Sequence, residues 1–255
     1  MASIELQHVS VAIPIYNSRG RALKSELFRR AVGGNIDVND KSITVVHALD
    51  DITCQIEHGD RIALIGGNGA GKTTLLRVLS RIYPPTSGRV EIIGRISSLT
   101  DFTVGMDPEA TGYENIVMRG IVLGLTAKQA KALTPDIEEF TELGEYLRLP
   151  IRTYSAGMML RLAFAISTAV KPDIVILDEL ISAGDASFIK KAGVRIEALI
   201  TNASIMVFAS HDVALVQQLC TSAIWMDHGR IMAKGETNSV LHQYSLTLSD
   251  ANTQT

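Results

Sequence analysis

The segment Gly66-Gly-Asn-Gly-Ala-Gly-Lys-Thr73 constrains this chain more than any other. Its spacing is G-x-x-x-x-G-K-[ST], in which glycines let backbone N–H groups turn inward around phosphate oxygens. The apolar run Arg61 to Ile65 precedes it and the helical pattern Thr74 to Ile82 follows it, which is the strand–loop–helix context such a loop requires. A helix starting near Gly71 adds the positive end of its dipole. Residues Gly66, Gly67, Asn68, Gly69, Ala70, Gly71, Lys72, Thr73 and Thr74 are the candidate nucleotide contacts. Lys72 is expected to reach the β- and γ-phosphates as a point charge, and the Thr73 hydroxyl to ligate Mg²⁺. The loop alone implies a nucleotide. It does not choose among kinase, GTPase and ATPase.

The surrounding pattern is that of a mostly parallel α/β sheet, in which short strand-like runs alternate with helical ones. Candidate strands are Ile4 to Val9, Ile52 to Glu57, Arg61 to Ile65, Arg89 to Ile93, Ile174 to Leu177, Ser204 to Ala209 and Ala223 to Met226. Two stretches break the rhythm. Residues 14–42 carry loop signals around a basic helical run, Arg21 to Arg30. Residues 108–152 read as a helical insert, with helices over Tyr113 to Leu123 and Pro135 to Leu147 and Gly144 interrupting the second. The apolar residues Ile116, Val117, Ile121, Val122 and Leu123 of that insert could be core or partner contact, and most are expected to be core. The polar stretch from Ser245 reads as a frayed tail.

Length and composition bound the class. The 255 residues suit one domain with a small subdomain, and 46% apolar residues allow a sizeable core. A formal charge of -3 gives no global basic field for nucleic acid. No apolar run approaches a membrane span, and the N-terminal residues do not read as a signal peptide. Cys54 and Cys220 lie far apart and read as buried thiols.

Four further pieces carry chemistry. Ile174-Val-Ile-Leu-Asp178-Glu179 is an apolar strand ending in two carboxylates. There Asp178 can hold Mg²⁺ through water, and Glu179 can take a proton from an attacking water. Tyr154-Ser155-Ala156-Gly157-Met158 opens the helical run Leu160 to Val170; the serine suits an anion site or a plain N-cap. Ser182-Ala-Gly-Asp185 follows the carboxylate pair. Ser210-His211-Asp212 follows the strand Ser204 to Ala209.

Taken in order, this set resembles the ABC ATPase family over nearly the whole chain. Gly66 to Thr73 look like its Walker A loop and Ile174 to Glu179 like its Walker B strand. Ser155-Ala156-Gly157-Met158 looks like its signature loop, Ser182 to Asp185 match its D-loop, and His211 matches its switch histidine. The resemblance implies a P-loop NTPase core with a mostly parallel sheet, an antiparallel β edge and an α-helical subdomain. It implies a head-to-tail dimer of two copies holding two ATPs. In that dimer Ser155 and the Gly157 amide contact the γ-phosphate bound by the other copy. His211 contacts the γ-phosphate of its own copy, and Asp185 links the two sites. Two positions depart from the family. Residues 97–112 contain no glutamine, so Asp101 or a near neighbour serves as γ-phosphate sensor, or that contact is lost. Ile13 stands at the place of the adenine-stacking aromatic, leaving Tyr16 and His47 as the available rings, with Tyr16 preferred.

The segment Asp107-Pro-Glu-Ala-Thr-Gly-Tyr-Glu-Asn115 and the run from Glu142 to Met158 resemble the polysaccharide-export branch of the family, the O-antigen export type. So does Pro14 to Lys24. The resemblance implies a peripheral subunit on the cytoplasmic face of the inner membrane. Its partners would be two copies of an integral membrane permease, through which lipid-linked polysaccharide of O-antigen, capsule or teichoic-acid type passes, with no nucleic acid. The core is expected over 1–107 and 153–245, with 14–42 an inserted basic segment. Residues 108–152 are expected to form the subdomain contacting the permease, and 246–255 a flexible tail, with no C-terminal carbohydrate-binding domain. Arg19, Arg21, Lys24, Arg29 and Arg30 would face the membrane or the lipid pyrophosphate, or else form a solvated face. The alternatives are an ABC ATPase for another substrate or one without transport. The translation type usually carries two cassettes and the repair type a long coiled coil; neither is seen here. A GTPase would need N-K-x-D, which is lacking. A small-molecule kinase would have no use for the Ser155–Gly157 and His211 elements.

Overall fold

Strand β4 (Arg61–Ile65) is the most heavily buried strand next to the glycine loop, with Ile62, Ala63 and Leu64 fully covered. Covering on both faces is the condition in which a near-continuous apolar strand is favoured over an alternating one. The computed structural model describes residues 1–15, 35–39, 43–100, 102–178 and 186–253. Within them the chain forms two units, residues 1–93 with 205–255 and residues 94–204.

In the first unit β4 lies between two parallel neighbours, β8 (Ile205–Ala209) and β9 (Ser222–Asp227). Strand β10 (Arg230–Glu236) pairs antiparallel with β9. A second sheet is antiparallel, in the order β2 (Asn35–Asn39), β3 (Ile43–Ile56), β1 (Ser3–Ile15) and β5 (Ser87–Ile93). The expected mixture of parallel sheet and antiparallel edge is present. Helix α1 (Lys72–Leu79) buries Leu75, Leu76, Val78 and Leu79. Helices α7 (Val213–Leu219) and α8 (Thr237–Thr253) complete the unit. Cys54 and Cys220 are free thiols, both buried. Burial pushes the Cys220 thiol up to about 12.

Helix α8 corrects one expectation. The stretch from Ser245, read from the sequence as a frayed tail, is helical as far as Thr253. The physical reason is anchoring upstream. Val240 is buried, the Thr237 hydroxyl donates to the Cys220 carbonyl at 2.8 Å, and the Tyr244 ring meets Trp225 at 5.7 Å. No Pro or Gly then interrupts the run.

The second unit pairs β6 (Ile96–Ser98) in parallel with β7 (Ile174–Asp178) and surrounds them with α2 (Gly112–Val122), α3 (Ala127–Ala132), α4 (Thr134–Thr141), α5 (Ala156–Ala169) and α6 (Ala186–Asn202). Its core joins Ile116, Ile137, Leu147, Ile151, Leu162 and Ile166. The segment 108–152 lies within this unit, and its two ends meet. Ile151 N–H donates to the Ala110 carbonyl and Arg152 N–H to the Pro108 carbonyl, each at 3.0 Å.

The Asp107 to Asn115 segment is built by local hydrogen bonds. Thr111 N-caps α2 in a capping box with Glu114. Bonds from the Thr111 backbone and hydroxyl hold the Glu114 carboxyl below the usual carboxylate range. That contribution is present above the ordinary carboxylate pKa and is lost as pH falls through the lowered one. Asn115 is fully buried, donates to the carbonyls of Asp107, Ala110 and Thr111, and accepts from Asp107 N–H at 2.8 Å. Gly112 faces the Tyr154 hydroxyl, where a Cβ would sit 2.6 Å away. Two motif segments far apart in sequence therefore touch.

The expected core residues of α2 need correction. Ile116 is fully buried, but Ile121 and Val122 are 48% and 62% exposed. The inward stripe instead runs through Asn115, Ile116, Arg119 and Gly120. Gly120 lies so near Ala130 that a Cβ would come within 2.5 Å of that side chain. Close approach on this face turns the next two residues outward.

Asn115→Ala is expected to remove the four hydrogen bonds of a fully buried amide and to leave Asp107 N–H without its side-chain acceptor. It should cost about 2–3 kcal/mol of unfolding free energy, read from urea denaturation.

Candidate functional site

The glycine loop leaves the C-terminal end of β4. Gly66 has φ 143° and Gly69 φ 78°, both in the range that favours glycine. Gly71 N-caps α1 at φ 99°, with no side chain to close the helix start. At Gly66 a Cβ would stand 2.2 Å from the Met226 carbonyl oxygen, and at Gly71 2.6 Å from that of Ala48. A Cβ at Gly67 would meet nothing within 4 Å among the described residues. So the loop is pressed against β3 and β9 at two points and open between them, with Gly67, Asn68 and Gly69 exposed. Gly229 N–H donates to the Ala70 carbonyl at 3.0 Å, and Asp50 N–H to the Gly229 carbonyl at 2.9 Å. Arg230 secures the same corner by two bonds to Asp50, at 2.8 and 2.6 Å.

Lys72 holds its ammonium over the loop, donating to the carbonyls of Gly66 at 2.7 Å and Gly67 at 3.0 Å. Thr73 is exposed and Thr74 half-buried on the first turn of α1. The first turn carries no acidic residue. A helix start without acid, an ammonium and a run of exposed backbone suit a polyphosphate.

Parallel register brings His211 to the same place. Leu64 pairs with Ala209 and Ile65 with Trp225. The loop after β4 and residues 210–211 after β8 thus leave one sheet edge together. A cavity of about 40 Å³ is lined by Ile65, Gly66, Ser210, His211, Val213, Val216, Leu241 and Tyr244. His211 itself is exposed. Asp212 caps α7 by accepting from Ala214 N–H at 2.9 Å and Leu215 N–H at 3.2 Å, and its own N–H donates to the Ser210 hydroxyl. Burial, with the Asp227 carboxylate second, raises the Tyr244 phenol and keeps it protonated.

In the second unit, Asp178 ends the buried strand β7 and is half-buried. Ser155 is the N-cap of α5, its hydroxyl accepting from Met158 N–H at 3.2 Å. Ser155, Ala156 and Gly157 are exposed, and among the described residues the only atom within 4 Å of a Gly157 Cβ would be the Ser155 hydroxyl. The capping role raised from the sequence is real, and the helix start remains accessible. Tyr154 donates to the Tyr146 carbonyl at 2.7 Å. Burial, with Tyr113 second, pushes its phenol up to about 12.

Tyr16, Asp101, Glu179, Ser182, Asp185 and the basic residues Arg19, Arg21, Lys24, Arg29 and Arg30 lie outside the described residues. His47 sits on β3, opposite Ala12 of β1 and Asn35 of β2. Leu241 and Tyr244 are residues of the histidine cavity that sequence reasoning missed. They precede the stretch read as tail, and only the folded register brings their helix to this cavity.

Fold and loop together define a phosphate-loop NTPase of α/β architecture. The family model described as ABC transporter matches residues 49–182, and the chain belongs to this family. Among curated relatives, it is 43% identical to an O-antigen export system ATP-binding protein of Yersinia enterocolitica, over 91% of this chain and 97% of that protein. It is 39% identical to a protein of the same description from Myxococcus xanthus, over 91% of this chain but 52% of that one. A teichoic acids export ATP-binding protein of Listeria innocua is 35% identical over 94% of this chain and 69% of that protein. The chain thus spans nearly all of one relative and about half of another. Among solved structures, an ATP-binding subunit of an ABC transporter superposes with TM-score 0.65 at 21% identity, covering 95% of this chain and 93% of that one. A dimeric ATP-binding cassette in a post-hydrolysis state with ADP and Pi superposes with TM-score 0.63 at 17% identity, covering 92% and 98%. These two likenesses establish the fold.

Gly66→Ala is expected to lower folding stability by about 1–3 kcal/mol, because both φ and the Met226 carbonyl oppose a Cβ. Gly67→Ala, which meets open space, should stay within about 1 kcal/mol of the parent in the same urea titration.

Proposed function

We propose that the chain is the ATP-binding and ATP-hydrolysing subunit of an ABC transporter that exports a lipid-linked polysaccharide of O-antigen, capsule or teichoic-acid type. The observation that carries the reading is the shared sheet edge, where the Gly66 loop and His211 line one cleft. The export systems named for its relatives support the substrate class.

In this reading the loop amides and Lys72 bind the β- and γ-phosphates, and His211 steadies charge developing on the γ-phosphate. Glu179 accepts the proton of the attacking water as the oxygen–phosphorus bond forms, and ADP leaves. Thr73 and Asp178 offer the oxygen donors that Mg²⁺ prefers, and the ion would neutralise phosphate charge there. Ser155 and Gly157, exposed at the start of α5, bind the γ-phosphate held by a second copy, and Asp185 joins the two sites. The dimeric state of a superposable cassette supports that arrangement.

Among the described residues no helix is long and apolar enough to cross a membrane. The transport path is therefore assigned to a permease partner in two copies, with this subunit on the cytoplasmic face of the cell membrane. Exposed Ile121 and Val122 on α2 suit the permease contact expected of residues 108–152.

Two substitutions test the assignment. Lys72→Ala should weaken ATP binding roughly 10- to 100-fold, the loss of a charge-assisted contact. Unchanged affinity would remove the loop from the site. Glu179→Gln should keep ATP binding and dimer formation, seen by light scattering, while hydrolysis falls roughly 10²- to 10⁴-fold. Near-normal turnover would mean that another group is the base.

A further inference from the structure

Helix α8 reaches the histidine cleft from the far end of the chain. It packs on β9, β10 and α7. Three contacts fix it. Val240 is 2% exposed, Thr237 bonds to the Cys220 carbonyl just after α7, and Gln217 on α7 donates to the Asn238 side chain at 2.8 Å. One turn further on, Tyr244 leans on Trp225, which pairs with Ile65 at the mouth of the glycine loop. Leu241 and Tyr244 then line the same cavity as Gly66, Ser210, His211, Val213 and Val216.

We propose that Tyr244, presented by α8, is a positioning residue for His211. The His211 main chain is a single link between two held elements. Behind it is β8, locked by register to β4. Ahead of it is α7, whose start is fixed by the Asp212 cap and whose seat is shared with α8. The cavity between them is small, about 40 Å³, with room for a few water molecules and no larger group. A ring at Tyr244 therefore limits how far residues 210–213 can settle toward α8 and away from the phosphate loop. Removing it opens the space behind His211, and a displacement near 1 Å at a reacting group can cost about 100-fold in rate. The inference rests on the reading of His211 as a γ-phosphate contact and adds the element that holds it in place.

The test uses the purified full chain with MgATP, reading kcat, KM and the affinity for a non-hydrolysable ATP analogue. Tyr244→Ala should lower kcat about 10- to 100-fold with KM and analogue affinity changed less than about twofold. Tyr244→Phe should restore the parent kcat, since the ring and not the hydroxyl fills the space. Leu246→Ala, on the same helix but exposed, should behave like the parent. If Tyr244→Ala unfolds at the assay temperature, Tyr244→Leu replaces it, with the same split expected at smaller amplitude. Parent-like kcat in Tyr244→Ala or Tyr244→Leu, beside a His211→Ala variant that has lost turnover, would overturn the inference alone. An equal loss of kcat and analogue affinity would also overturn it. Normal turnover in His211→Ala would instead overturn the underlying reading of the histidine.

Discussion

Parallel pairing of β4 with β8 on one side and β9 on the other is the constraint on which the nucleotide-facing unit depends. A parallel sheet sends the C-terminal ends of its strands to one edge, and ligands in such sheets gather there. Because Leu64 is opposite Ala209 and Ile65 opposite Trp225, the residues that follow each strand have no freedom to separate. The glycine loop, the Ser210–His211 pair and the β9–β10 turn are therefore neighbours by register. A one-residue slip of β8 would reverse every buried side chain of that strand. Its five residues are all buried, so the slip has no polar face to exploit.

The same register explains why a side chain would clash at the ends of the loop and meet open space at Gly67. Gly66 passes under the Met226 carbonyl of β9, and Gly71 passes under that of Ala48 in β3. Between them the chain bulges outward, and its backbone stays accessible. Two tight contacts thus raise an arch whose inner surface is main chain. Lys72 bends over that arch onto the carbonyls of Gly66 and Gly67. A phosphate there would meet an ammonium already held near its place, with less side-chain freedom left to lose on binding.

In the helical unit, polar bonds perform the organising work that register performs in the first. Asn115 closes residues 107–111 into a turn, the ends of 108–152 bond to each other, and Tyr154 lies against Gly112. The start of α5, with Ser155 and Gly157 at its tip, is therefore attached to the start of α2 through a tyrosine and a glycine. Arg119 lies on the buried face of α2, and burial lowers its pKa. It reaches the Ser167 hydroxyl at 3.3 Å, while Ser97 of β6 donates to the Ser167 carbonyl. A buried arginine with so few partners is costly. Its place between α2, α5 and β6 ties those elements through one polar point rather than through apolar packing alone.

Sequence reasoning read local structure where its signals sit in consecutive residues and missed it where it is assembled from distant ones. The strand before Gly66 and the helix after it were legible because apolar runs flank a glycine spacing that few other structures need. The helix opened by Ser155 was legible because its cap and apolar run are adjacent. Strand β10 was not, since it only half-buries alternate, small or modest residues, Ile231, Ala233 and Gly235, on an edge with little apolar signal. The exposure of Ile121 and Val122 was hidden because it follows from Gly120 pressing on Ala130, a contact that spacing within α2 does not reveal. The last two turns of helix α8, from Ser245, looked like a tail because Ser, Thr and Asn dominate them. The anchors of the helix are Val240, which is buried, and Tyr244, whose ring meets Trp225 on another element. The histidine cleft combines both cases: Gly66 and His211 announce themselves in the sequence, while the ring behind them is found only once α8 has folded back against β9.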